Sequence, residues 1–296
     1  MKKLALKFKK LPDKTGYLLI LPFFIIFTYF VLIPIGQLLI DSFMNYKLGG
    51  AKTFTGLGNY FKLFRDVSFT AAISNTFVYT LGSIFAKMIL GFLIALLVNS
   101  TLIKSGVART FLFLPYVLSM VAVSMVWLLI YDVNFGYANS LLGAIGLPPV
   151  KWLQSTDTAM LSIIIMSVWK DIGYFMIINL AGLQNISGEL YEAAELDGAN
   201  KFRCMLHITI PSLSPTTFFL FVTGVINSFN AFEQVIIMTA GGPSDSTTTI
   251  VHQIYKNAFQ FFNMGYASAE SIVLLLFVVA ITALTFKFSG RGSDTL

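Results

Sequence analysis

The sequence predicts an all-α integral membrane protein with six transmembrane helices, and three observations carry that reading. Hydrophobic residues make up 56% of the 296, with 29 Phe and a mean hydropathy of +0.78, above the roughly 45–50% apolar content of soluble domains. Six apolar runs, at about 17-40, 72-98, 110-131, 159-183, 213-240 and 266-288, each reach the roughly 20 residues a helix needs to cross about 30 Å of hydrocarbon. Lys and Arg are distributed unevenly between the loops, which orients the spans because basic short loops stay in the cytoplasm. With the N-terminus inside, twelve of the twenty basic residues are cytoplasmic and six are outside, leaving Lys87 and Lys170 within spans.

Residues 1-16 read as a basic cytoplasmic segment, 17-288 as one membrane domain, and 289-296 as a cytoplasmic tail. The first run is too long for a signal-peptide core and lacks a small-residue cleavage site, so it reads as a permanent span. The pI near 9.3 reflects topology, and no nucleic-acid partner is expected. The outer loops, about 41-71, 132-158 and 241-265, are longer than the inner loop 99-109. Turn-rich stretches at 135-149 and 239-248 interrupt them with Gly, Pro, Asn and Ser. After the second, Ile250, Ile254, Tyr255, Ala258 and Phe262 form a helical stripe. Two readings stay open for it: a surface helix on the bundle, or a docking surface for an external partner.

Between the fourth and fifth runs, "ELYEAAELDGANKFRCMLHITIPSLSP" concentrates four acids in nine residues. Glu189 to Leu196 consists mainly of good helix formers; Ser187 can cap the start, and Gly198, with Asn200 close behind, can supply the positive φ that ends it. A helix of about three turns is predicted. It places Glu189, Glu192 and Glu195 on one side and Leu190, Ala193 and Ala194 on a second, small apolar side. Pro211 and Pro215 then interrupt the start of the fifth span.

Charged groups inside the spans are few: Lys87, Lys170, Asp171 and Glu233, with Glu270 near the outer end of the sixth. Together Lys170 and Asp171 cost about 5–7 kcal/mol to insert, roughly cancelling the apolar residues between Leu161 and Leu183. They should therefore face protein or water. Trp169 and Tyr174 beside them suit a sugar, whose C–H faces stack while its hydroxyls bond; packing against a partner subunit is the other reading. On the fifth span Thr223, Asn227, Asn230 and Gln234 recur as one helical stripe. That stripe is either interhelical glue or the wall of a solute route. Glu233 could pair with a partner-chain base, and Lys87, alone on the second span, reads as structural.

Glu192-Ala193-Ala194, three residues, Gly198, nine residues, Ile208, one residue and Ile210-Pro211 resembles the EAA signature of ABC importer permeases, EAA-x3-G-x9-I-x-L-P. Ile210 replaces the usual leucine, and Ser187 stands where many members carry proline. "LPFFIIFTYFVLIPIGQLLIDSF", "GLGNYFKLF", "NTFVYTL", "RTFLFLPYVLS", "SVWKDIGYFMIINLAGLQNIS" and "TAGGPS" are similar to the carbohydrate-uptake branch, the maltose- and multiple-sugar-type permeases. The resemblance runs from about Gly16 to Lys287.

It implies a type I ABC importer permease fold with a cytoplasmic coupling helix between spans 4 and 5, in the cell membrane of a prokaryote with both termini cytoplasmic. The implied partners are a second related permease subunit, two ATPase subunits that hold ATP and Mg, and an extracytoplasmic solute-binding protein delivering a sugar such as an oligosaccharide. The chain itself would bind no cofactor and catalyse nothing. ATPase coupling falls to Glu189, Glu192, Ala193, Ala194, Asp197 and Gly198. The substrate path falls to Lys170, Asp171, Tyr174, Gly224, Asn227, Ser228, Asn230 and Ala231. Contact with the binding protein falls to Gly241, Gly242 and Pro243, on turn chemistry and expected exposure.

Other classes fit less of the sequence. An ion-coupled secondary transporter using Asp171, Glu233 or Lys170 would be supported by inverted repeats and broken helices in matching halves, and neither is clear. An intramembrane enzyme would need more than Cys204 and His207 in the inner connector. A G-x-x-x-x-G-K-[ST] phosphate loop is missing from the sequence. Cys204 is the single cysteine and excludes an intrachain disulfide. His207 and His252 fall on opposite sides of the membrane, so no metal site is expected.

Overall fold

The computed structural model describes residues 13–99 and 106–289. The lysines at the start of the basic opening segment, Lys104, and Arg291 in the tail lie outside the described residues. Four helices are each long and apolar enough to cross a bilayer: α1 (Gly16–Ser42), α3 (Val67–Asn99), α7 (Ala159–Gln184) and α13 (Met264–Ser289). Two bent pairs bring the total to six if each pair is one crossing: α4 (Gly106–Val117) with α5 (Met120–Ile130), and α9 (Lys201–Ser212) with α10 (Ser214–Phe229). Shorter elements are α2 (Gly58–Leu63), α6 (Tyr137–Ala144), α8 (Gly188–Leu196), α11 (Glu233–Met238) and α12 (Ile250–Tyr255), with a two-residue hairpin of Met44–Asn45 and Thr53–Phe54.

Proline explains where two of the long helices deform. In α1 the Ile33 N–H reaches back to the Thr28 carbonyl, a π turn directly before Pro34. In α9 the Ile210 N–H reaches the Met205 carbonyl directly before Pro211. A proline ring crowds the carbonyl one turn back and removes a donor, and a wider turn relieves both. At Leu213, between Pro211 and Pro215, the axis then bends by 59°, as the two prolines predict.

Two expected spans are not continuous. The run 110-131 is broken by 97° at Leu118-Ser119, where Ser119 turns extended shortly after Pro115 interrupts the hydrogen-bond ladder of α4. The run 213-240 ends as a helix at Phe229. Asn230 and Ala231 close it with three-residue steps, and the Ala231 carbonyl accepts from Thr249 Oγ1 at 2.7 Å instead of from the helix. The polar stripe therefore stops at Asn230, and Gln234 belongs to the separate α11.

Residues 16–35 of α1 are exposed throughout. Only its C-terminal end is anchored, where Asp41 and Ser42 are buried and Asn59 Nδ2 donates to the Ser42 and Met44 carbonyls. The buried core lies among α3, α5, α7, α10 and α13.

Candidate functional site

Helices α3 and α7 meet closely because Gly91 has no side chain: a Cβ there would lie 2.6 Å from Phe175 Cβ. Their contact places Lys87 of α3 with its Nζ 2.8 Å from Asp171 Oδ2 of α7. Lys170 Nζ lies 3.9 Å from the other carboxylate oxygen. Lys87, expected to stand alone, is thus the partner of Asp171, since each charge removes the other's need for water.

This pair walls a cavity of about 440 Å³ whose other lining residues are Tyr79, Tyr116, Met120, Asn227, Ser228, Asn230, Phe232, Glu233 and Gln234. Gln234 Nε2 donates to Tyr79 Oη at 2.9 Å, and Tyr79 Oη donates to Ser167 Oγ at 3.0 Å. These bonds hold the tyrosine across three helices. Asn230 Nδ2 is taken by the Ile226 carbonyl. Asn227, Asn230 and Glu233 are exposed, so the cavity is open on that side. Amides, hydroxyls, two carboxylates and the rings of Tyr116 and Phe232 form a surface that can bond and stack with a polyhydroxylated solute.

Of the eight residues expected on a solute path, Asp171, Asn227, Ser228 and Asn230 line this cavity. The other four do not. Lys170 is buried and donates to the Tyr116 carbonyl at 3.0 Å, with its ammonium over the Tyr116 ring. Tyr174 stacks on that ring at 4.9 Å from outside the lining. Gly224 packs on Phe175 and Ile84, and Ala231 is buried in the core. Trp169 turns away to meet Trp127 edge-on, and Thr223 bonds its own helix at the Phe219 carbonyl. Tyr79, Lys87, Tyr116 and Phe232 were missed. Only the Lys87 charge, inside an apolar run, signalled its place.

The charged helix forms as α8. Ser187 Oγ accepts from the Glu189 N–H, and Gly198 ends it at φ +78°, with the Ala199 N–H on the Ala194 carbonyl. Asn200 instead caps α9, accepting from the Arg203 N–H. Nine residues make about two and a half turns, slightly short of expectation. The rotation also differs: Tyr191 and Ala194 face inward, half-buried, while Leu190 and Ala193 are exposed with Glu189, Glu192 and Glu195. A bond of 2.9 Å between Tyr191 Oη and Thr209 Oγ1 sets this rotation. Asp197 and Gly198 are exposed at the end of the helix.

The loop after α11 is less exposed than its composition predicts. Gly241 and residues 247–250 are buried, whereas Ala240 and Ser244 are exposed and Gly242 and Pro243 half-buried. The Gly242-Pro243 peptide is cis and Gly241 has φ +87°; a Cβ on Gly241 would lie 2.6 Å from His252 Cε1. Asn75 Nδ2 donates to the Asp245 and Thr248 carbonyls, and the Ile250 N–H donates to Thr76 Oγ1. Burial raises the Asp245 carboxyl, but bonds from Lys256 and Thr248 outweigh it and hold the group below its usual range. Burial, aided by Lys256, lowers the His252 imidazole. The stripe after the loop packs on the bundle over most of its length: Ile250 and Ala258 are buried, with His252, Gln253 and Asn257 beside them, Ile254 and Tyr255 are half-buried, and only Phe262 at its end is exposed.

Residues 87–291 match the family described as "Binding-protein-dependent transport system inner membrane component". The chain is 36% identical over 283 residues to the probable ABC transporter permease protein YurN of Bacillus subtilis, covering 94% of this chain and 97% of that one. It is 33% identical to the arabinooligosaccharides transport system permease protein AraP of the same organism, covering 93% and 88%. A chain of a bacterial alginate ABC transporter, solved in complex with alginate pentasaccharide-bound periplasmic protein, superimposes with a TM-score of 0.83 at 26% identity, covering 94% and 95%.

Proposed function

The chain belongs to the binding-protein-dependent transport system inner membrane components, and from that premise we propose that it is one of two permease subunits of an ATP-driven sugar importer. The observation that carries the sugar assignment is the open cavity, with Asn227, Asn230, Ser228 and Glu233 beside the bonded pair of Lys87 and Asp171. A second permease subunit would close its open side. The arabinooligosaccharide transport named for one relative supports this substrate class.

In this reading α8 seats on an ATPase subunit through its exposed acids, with Glu192 and Ala193 at the contact and Gly198 setting where the helix stops. The partner ATPases hold ATP and Mg. The tip at Pro243 and Ser244 meets the solute-binding protein, and Gly241 shapes the loop behind it. The protein sits in a prokaryotic cell membrane with both termini cytoplasmic.

The test is uptake of labelled oligosaccharide by proteoliposomes holding the complete complex, with binding protein outside and ATP inside. Asp171→Asn and Asn227→Leu should lower uptake about tenfold or more, as expected for losing hydrogen bonds needed during passage. Tyr174→Phe, outside the lining, should have little effect. Assembly and the ligand-free ATPase rate should change little in Asn227→Leu and Tyr174→Phe, whereas Asp171→Asn also strands the buried Lys87 and should lower the thermal midpoint of the complex. Full uptake in both cavity variants overturns the route assignment, and ATP-independent uptake by this chain alone overturns the permease-subunit reading.

A further inference from the structure

We propose that the cavity selects uncharged saccharides against acidic ones, and that Glu233 is the residue that sets this selection; the proposal rests on the solute-route reading above. Three polar observations in one place carry it. Glu233 opens α11, is exposed, and lines the cavity. Among the described residues no cation pairs with it, whereas Asp171 is served by two amines, at 2.8 Å and 3.9 Å. Lys87 is the single cation in the lining, and its ammonium is already bonded. Lys170, outside the lining, gives its ammonium to the Tyr116 carbonyl.

A uronate or phosphate moving along this wall meets one free carboxylate and no free cation. To bond Lys87 it would have to displace Asp171 and leave that carboxylate part-buried without its main partner. A sugar hydroxyl meets no such conflict, because it can donate to Glu233 and exchange bonds with Asn227, which is exposed and without an intramolecular partner for its amide among the described residues. Like-charge juxtaposition is a principal means by which an interface rejects a wrong partner. Glu233 also stands at the first turn of a helix, where an acid is favourable for the helix itself. A merely structural role there is therefore the competing account, and the test must separate the two.

The experiment uses the whole complex of both permease subunits and both ATPases in detergent, without the binding protein, so that the permease is read directly. Saturation-transfer NMR compares a neutral tetrasaccharide with the same tetrasaccharide carrying one uronic acid residue. The wild type should bind the neutral sugar about tenfold more tightly, less than a fully desolvated like-charge conflict would give because solvent screens the exposed Glu233. Glu233→Gln should narrow that ratio, and Glu233→Lys should bring it to unity or invert it, with the neutral sugar changing least. An acidic sugar bound as well as the neutral one by the wild type, or a ratio unchanged in Glu233→Lys, overturns charge selection by Glu233. Lower stability in Glu233→Gln with an unchanged ratio assigns the residue to the helix alone. If Asn227→Leu transports normally and neither sugar binds, the route reading fails and this proposal with it. If Asn227→Leu loses transport while the ratio ignores residue 233, the route stands and only charge selection falls.

Discussion

A lysine alone in an apolar helix costs about 2.5–3.5 kcal/mol to insert, so Lys87 and Asp171 each stand in the chain only because the other is 2.8 Å away. Removing one partner strands the other charge, which costs on the order of 3 kcal/mol where the site is desolvated; the partial exposure of Asp171 places its share at the lower end. Lys87→Met should therefore lower the thermal midpoint of the purified complex. Adding Asp171→Leu to it should recover part of the loss, a coupling that a double-mutant cycle reads directly. Additive losses would mean that the pair does not interact. His252 makes a pH prediction. Its folded imidazole is lowered from 6.5, so the unfolded chain takes up a proton more readily. Its contribution is complete above about pH 6.5 and declines as pH falls below that. Melting between pH 8 and 5 should show this loss, and His252→Gln should flatten the slope in that window.

At the scale of elements, two helix ends decide what α8 and α10 can do. Gly198 sits at φ +78° with open space where a Cβ would go. Replacement thus costs backbone strain of about 1 kcal/mol and no clash. Gly198→Ala should leave assembly intact yet uncouple binding-protein-stimulated ATP hydrolysis from uptake, and Gly198→Glu should do so more strongly. Normal coupled uptake in Gly198→Glu would exclude a coupling role for this end of α8. The break between α10 and α11 depends on Thr249, whose hydroxyl satisfies the Ala231 carbonyl. Thr249→Val leaves that buried acceptor unpaired, at about 1–3 kcal/mol. It should lower the thermal midpoint, and Thr249→Ser should restore it. An unchanged midpoint in the valine variant would show that another group satisfies the carbonyl.

Across the whole molecule, the loop after α11, the cavity and α8 are joined by the same few helices. The loop is tied to α3 at Asn75 and Thr76 and, through Thr249, to the segment after α10. α3 also carries Lys87 into the cavity. Across the chain, Tyr191 of α8 bonds Thr209 of α9, which leads into α10. A push on the tip of this loop therefore has a continuous packed path to α8. Ser244 is exposed at the tip of this loop, whereas Gly242 supplies a carbonyl to Thr247, so a change at Ser244 tests contact without disturbing the loop's own bonds. Ser244→Arg should cut binding-protein stimulation of ATP hydrolysis about tenfold while the unstimulated rate stays constant. Full stimulation would place the contact elsewhere.

What the sequence by itself determined is the part of this protein that depends on neighbours along the chain. The four continuous apolar helices, the Ser187 cap, the Gly198 stop and the bend between Pro211 and Pro215 all follow from local chemistry, and helix-forming residues between that cap and that stop placed α8 between α7 and α9. Other features were decided only in three dimensions. Lys87 could not be matched to Asp171, 84 residues away, because apolar spans look alike on every face and nothing local says which two meet. The loop from Gly241 reads as exposed by composition and is partly buried because Asn75, Thr76 and Ala231 supply distant partners. The fifth run reads as one helix because periodicity is blind to a carbonyl that Thr249 satisfies from outside, and α8 turns Ala194 rather than Ala193 inward because Tyr191 is bonded to Thr209. In each case the deciding bond joins segments whose adjacency comes from packing, and packing is not written in any single stretch of chain.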